Sequence, residues 1–204
     1  MKNINQTGSE ELPENKNEQK PEKVKDGLSV YRTIYDLAST VMFSFVLIAI
    51  FFVFVFRLVG VVGQSMENTL HEGDWLITTQ HAEYEYGDIV IIVQPNFFDE
   101  PLVKRVIARG GQTINIDYDT STVYVDGQAL TEPYTREDYI LPKIDDIQFP
   151  YTVPEGFLFC MGDNRNGSTD CRSVNIGPID ERYILGKAMF RIGPFDRMNI
   201  YDYE

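Results

Sequence analysis

From Leu37 to Phe56 the chain carries no charged residue, and the run is apolar on every side of a helix rather than along one stripe. At about 1.5 Å of rise per residue, a helix of this length crosses the hydrocarbon layer of a bilayer. A small soluble domain could not cover such a helix all round, so one membrane span, residues 37–58, is expected to divide the chain. A cleaved leader is the rival reading. However, the run starts far from the first residue, and bulky Phe56, Arg57 and Leu58 stand where a cleavage site would need small side chains.

The two flanks differ in kind. Residues 1–27 mix Lys, Glu, Asn, Gln and Pro with few apolar side chains, too few to offset the entropy of ordering, so residues 1–36 are expected to be a disordered tail. Lys16, Lys20, Lys23, Lys25 and Arg32 precede the span and only Arg57 follows closely, so the positive-inside rule puts the amino terminus in the cytoplasm and residues 59–204 outside. The net charge of −13 also falls on that outer part: residues 1–60 balance seven basic against seven acidic side chains, while 61–204 hold eleven against twenty-four. So acidic a surface argues against a nucleic-acid partner. Two cysteines, Cys160 and Cys171, are too few for a disulfide scaffold and lack the second ligand pair of a zinc site, so no metal and no cofactor is expected; one disulfide or two free thiols both fit.

The outer part reads as β. Short β-rich runs at 75–79, 88–93, 102–107, 113–116, 157–160 and 183–192 alternate with turn residues, and no long amphipathic helical pattern competes. Thr122–Val125, then Asp126-Gly127, then Gln128 onward predicts a hairpin, because Asp-Gly accepts the positive φ angles of a type I′ turn. The glycine inside 183–192, Gly186, predicts a bulge or a close backbone approach.

Ser65 follows Gly63-Gln64 within a few residues of the span, where the backbone can turn freely; alone it is no more than a turn serine. Lys104 could make it more. Strand alternation groups Lys104 with Leu102 and Val106 and puts Arg105 on the opposite face with Val103 and Ile107, an unusual charge on each side. A lysine in apolar surroundings loses hydration of its ammonium, and its pKa falls from about 10.4 toward values at which a neutral amine can take a serine proton. The ordinary fate of a strand lysine is an exposed edge. His71 and His81, the only histidines, lie in polar, turn-rich stretches and are read as surface residues, so they offer no competing base.

Four segments, in order after the span, resemble the motifs of the type I signal peptidases. They are Ser65-Met66 with Thr69-Leu70; Tyr86-Gly87-Asp88-Ile89-Val90; Lys104-Arg105-Val106-Ile107; and Gly162-Asp163-Asn164-Arg165 with Ser168, Asp170 and Arg172. The resemblance covers roughly residues 37–192, and the eleven-residue last box is its most specific part. It implies a mainly β protein: an antiparallel β-sheet catalytic core with a small inserted β subdomain at about 112–155, behind one transmembrane helix. It also implies a Ser-Lys dyad in which Ser65 is the nucleophile and Lys104 the base, with Ser168 orienting the amine. Asp170 and Arg172 would pair beneath the site, while Asp163, Asn164 and Arg165 would be architectural. The Ser65 backbone N–H would hold the oxyanion, since Gly63 stands where many relatives carry a hydroxyl. Gly60, Val61, Val62, Gly63, Gln64, Met66 and Val103 would line the groove for the signal-peptide end of a secretory preprotein presented at the lipid bilayer.

The match departs at Asn68 (usually proline), at Gly110 and Gln112 (usually a Pro-Gly-Asp turn), at Tyr86 (often arginine) and at Cys171 (usually serine). None removes a catalytic atom. Two other readings use the same features: a non-catalytic or dedicated relative that assists pilus or surface-protein assembly through the same groove, and a self-cleaving regulatory protease, which would need a partner segment not seen here.

Overall fold

A computed structural model of the chain describes residues 23–80, 83–93, 100–193 and 198–201; side chains are described from Ser29 onward. The expected disordering of residues 1–22 and the expected exposure of His81 lie outside the described residues. Two compact units result, Met1–Ala49 and Ile50–Glu204.

The apolar run is helical, and the helix is longer at its start than the uncharged stretch: α1 spans Lys23–Val55. Residues 23–36, assigned to the tail from composition, are therefore helical, because adding a turn to an existing helix costs far less than nucleating one. Its section Ser29–Val55, 27 residues that include an 18-residue window at a mean hydropathy of 2.6, is long and apolar enough to cross a membrane. At the other end the boundary moves inward. Phe56–Gly60 is strand β1, whose residues pair with Thr79 through Trp75, so positions 56–58 leave the helix for the sheet.

The rest is antiparallel β. After β1 come β2 (Trp75–Thr79), β3 (Ile89–Ile92), β4 (Leu102–Arg109), β5 (Thr113–Asp117), β6 (Thr122–Val125), β7 (Gln128–Ala129), β8 (Tyr151–Thr152), β9 (Phe157–Met161), β10 (Ile179–Asp180) and β11 (Ile184–Gly193). Seven form one sheet in the order β1-β2-β11-β3-β4-β9-β10, and four form another, β7-β6-β5-β8. The turn between β6 and β7 has Asp126 at φ 51° and Gly127 at φ 78°, the left-handed pair that Asp-Gly tolerates. Gly186 is a site of close approach: a Cβ there would lie 2.6 Å from the Thr79 carbonyl oxygen, and the β11 register shifts beside it.

Two apolar clusters flank the larger sheet. One joins Val90, Ile92, Val106 and Phe159 to Ile114, Ile116 and Val123 of the second sheet. The other packs Ile89, Ile91 and Val103 against Val61, Met66, Leu70 and Leu76. Strand β4 lies between β3 and β9 with Val103 through Ala108 all buried, so both faces of this strand are core. Lys104 is thus not at an edge, and neither it nor Arg105 can reach solvent by leaning outward.

Candidate active site

The segment after β1 is a loop whose entry is pinned. Val61 donates its N–H to the Asp74 carbonyl at 2.8 Å and accepts from Gly73 N–H at 3.0 Å, and Gly63 then turns the chain at φ 80°. A short turn follows, with Thr69 and Leu70 N–H both donating to the Met66 carbonyl, at 2.9 and 2.8 Å. Met66 and Leu70 are buried in the smaller core, which fixes the turn that begins directly after Ser65.

Lys104, only 3% exposed, extends from β4 to this turn. Its Nζ donates to Ser65 Oγ at 2.7 Å and to the Val103 carbonyl at 3.1 Å. Burial strips water from the ammonium and pushes the Lys104 pKa below the ordinary lysine value; Asp170 and more distant groups oppose that shift without cancelling it. A half-buried hydroxyl thus faces an amine biased toward its neutral form. The Ser65 N–H makes no hydrogen bond among the described residues, nor do the backbone groups of Val62 and Gly63, leaving donors and acceptors free on one side of the hydroxyl.

The last box closes over this turn from the other side. Asn164 N–H donates to the Ser65 carbonyl at 3.1 Å, and Asn164 Nδ2 to the Gln64 carbonyl at 3.0 Å. Thr69 Oγ1 donates to Asp163 Oδ2 at 2.5 Å. The adjacent residues Asp163 and Asn164 therefore grip both ends of the turn that presents Ser65. Gly162 makes the approach possible, since a Cβ there would sit 2.4 Å from the Ser65 carbonyl oxygen and 2.3 Å from Ser168 Oγ.

Beneath lie three buried ion pairs. Arg105 binds Asp163 through two nitrogens, at 2.8 and 2.7 Å, and lies 3.9 Å over the Tyr134 ring. Arg172 chelates Asp170 at 2.8 and 2.9 Å, and Asp170 also accepts from Gly162 N–H at 3.0 Å. Burial works against ionising Asp170, but Arg172 outweighs it and draws the carboxyl down to about 2. Arg165 takes both oxygens of Glu132, at 2.8 and 2.7 Å. Burial also opposes the Arg165 charge, and Glu132 more than offsets it.

Not every expectation survives. Ser168 is buried at 1%, yet Lys104 bonds Ser65 and Val103 rather than Ser168, and Ser168 Oγ has no hydrogen-bond partner among the described residues. The Val103 carbonyl, on the lysine's own strand, supplies the second acceptor instead. The groove-lining set also divides. Val61, Met66 and Val103 are core residues, and both backbone groups of Val61 are engaged; Gly60 ends β1 opposite Trp75. Val62 and Gln64 are exposed and Gly63 is half-buried. Sequence reasoning missed Thr69, Glu132 and Tyr134 as supports. Thr69 stood inside the first motif, but nothing in the stretch 130–137 marks Glu132 as the partner of an arginine thirty-three residues on. Cys160 and Cys171 are free and buried: Cys160 N–H donates to Cys171 Sγ at 3.1 Å, and the Cys171 N–H to the Cys160 carbonyl at 3.1 Å. His71 is exposed.

Comparison with known proteins points to one family. Residues 34–193 match the family model described as signal peptidase, peptidase S26. A signal peptidase I of Bacillus licheniformis is 32% identical over 83% of this chain and 94% of its own length. One from Bacillus amyloliquefaciens is 33% identical over 89% and 96%. The crystal structure of a signal peptidase I from Enterococcus faecalis V583 aligns with a TM-score of 0.44 at 27% identity, covering 53% of this chain and 98% of that one. A chain so matched over most of its length belongs to the signal peptidase family, peptidase S26.

Proposed function

We infer that this protein is a membrane-anchored serine endopeptidase that removes amino-terminal signal peptides from exported preproteins, with Ser65 as nucleophile and Lys104 as general base. One observation carries the reading: a lysine amine, buried and lowered in pKa, 2.7 Å from a serine hydroxyl on a turn clamped at both ends. Neutral Lys104 takes the Ser65 proton as Oγ attacks the scissile carbonyl carbon, and the Ser65 N–H receives the developing oxyanion. The ammonium then protonates the leaving amine, which departs as the new amino terminus of the mature protein. A water attacks the acyl-serine, giving a proton to Lys104, and the proton passes to Ser65 Oγ as the signal peptide leaves.

The free backbone groups of Val62 and Gly63 suit an extended peptide laid alongside as an added strand. Asp170 and Arg172, and Asp163 with Arg105, act as architecture, holding the loop that grips the nucleophile turn. The helix of Ser29–Val55 keeps enzyme and membrane-embedded substrate in one surface, raising their effective concentration. With lysines ahead of it, the amino terminus lies in the cytoplasm and the β domain outside. The test uses the full chain in detergent with a preprotein and compares it with Ser65→Ala and Lys104→Ala. Cleavage by the parent alone is expected, and equal cleavage by all three would end the reading.

A further inference from the structure

Four buried side-chain polar atoms have no hydrogen-bond partner among the described residues, and three of them, Ser168 Oγ, Arg172 Nη1 and Asp146 Oδ1, belong to residues lining one cavity of about 40 Å³. Leaving such atoms unpaired is costly, so their convergence is not expected by chance. Everything else on these groups is engaged. Arg172 Nε and Nη2 serve Asp170 and the Arg165 carbonyl, the latter at 2.6 Å. Asp146 Oδ2 accepts from Tyr118 OH at 2.6 Å and from Lys143 N–H at 2.8 Å. Lys143 Nζ donates to the Ser168 carbonyl and closes the cavity on that side. Ser168 and Arg172 are each 1% exposed.

We propose that this cavity is a built hydration site, holding one or two water molecules that join Asp146 and Arg172 to the Ser168 hydroxyl, and that Asp146 is thereby a positioning residue for the dyad. The volume suits it, since a bound water needs roughly 10–15 Å³ of such space and two to four polar partners. One water can meet all three atoms: Arg172 Nη1 donates one N–H to the water oxygen, and the two water hydrogens go to Asp146 Oδ1 and Ser168 Oγ, leaving the Ser168 O–H to face the Asp170 carboxyl that it helps keep ionised. With that lone pair occupied, the Ser168 hydroxyl has a fixed orientation directly beneath Gly162, where the Ser65 carbonyl and Ser168 Oγ would both crowd any Cβ. Asp146 thus reaches the nucleophile turn across a segment, residues 143–147, that the four motifs do not include. The effect on catalysis rests on the Ser65–Lys104 reading; the water itself does not.

Two measurements test this separately. A crystal structure of the full chain at a resolution that shows ordered solvent is expected to hold water within hydrogen-bond distance of all three atoms; an empty cavity, or the three groups collapsed into direct contact, overturns the proposal. In preprotein cleavage, Asp146→Ala is expected to lower kcat roughly tenfold with KM unchanged, the worth of one buried hydrogen bond. Asp146→Asn, whose amide oxygen still accepts from water, is expected to recover most of that loss. Tyr118→Phe, which removes only the bond to Oδ2, is expected to keep kcat within about twofold. If Tyr118→Phe and Asp146→Ala lose kcat equally, Asp146 is a structural anchor and its positioning role falls. Water found in the cavity of a protein whose Ser65→Ala variant cleaves like the parent would uphold the hydration site while removing the protease reading.

Discussion

Lys104 and Arg105 are neighbours on one strand, equally hidden from water at 3% and 0% exposure, yet they occupy opposite electrostatic situations. On one face of β4 the guanidinium meets a carboxylate through two nitrogens, the Gly87 carbonyl at 2.7 Å and an aromatic ring. On the other, the amine meets a hydroxyl and one carbonyl, and the carboxylate that acts on it most, Asp170, is already chelated by Arg172. Burial with a full counter-charge keeps a cation charged and makes it a structural part; burial without one makes the neutral form accessible and the group a base. On the proposed reading, the comparison teaches that one buried cation serves architecture and the next serves chemistry.

Lys104→Arg breaks the contrast most severely. Arginine stays protonated at any working pH and cannot accept a serine proton, so preprotein cleavage by the full chain should fall about a thousandfold or more. Residual activity within tenfold of the parent, an order-of-magnitude bound, would show that no neutral amine is needed. Arg105→Ala should act on folding instead: leaving Asp163 buried and unpaired costs about 3–5 kcal/mol, visible as a lower midpoint in denaturant melts. The same substitution would loosen the Thr69–Asp163 grip on the Ser65 turn and reduce cleavage with it.

Lys104→Met sharpens the comparison in the opposite direction, removing activity while raising thermal stability. Because the folded-state pKa of Lys104 lies below its unfolded value, the unfolded chain binds more protons between the two, and stability rises with pH across that window. The stability cost of Lys104 is full below the folded-state value and disappears as pH approaches about 10.4. The Tm gain of Lys104→Met should therefore be largest below the folded-state value and shrink toward pH 10 or so, as followed by calorimetry. The smallest effect is expected at Arg182, whose side chain is 84% exposed in its pair with Asp180; Arg182→Ala should leave both Tm and cleavage unchanged.

Much of this was legible in the residues. Short β-rich runs between turn residues marked the strands β2 to β6, β9 and β11, and Asp126-Gly127 marked its hairpin, because strand preference and turn chemistry are local properties. Strand β1 was hidden because Leu58 and Val59 extend the apolar character past the single charge of Arg57, and only pairing with β2 distinguishes strand from span. The proximity of Ser65 and Lys104 could be expected from the ordered motifs, but not the burial of the lysine, since that depends on β3 and β9 flanking β4 on either side. Most of the supporting pairs were illegible for a similar reason. Glu132 with Arg165, and Arg191 with Asp74 at 3.0 Å, are separated by long stretches of chain and meet only through the sheet topology.

Nuclear magnetic resonance titration of the Lys104 amine in the full-length protein, assigned by the signal lost in Lys104→Met, addresses the base most directly. A midpoint well below the ordinary lysine value of about 10.4 is expected, matching the acidic limb of kcat/KM for preprotein cleavage. A midpoint at or above that value would contradict the account, because the amine next to Ser65 would then be a cation wherever the enzyme works.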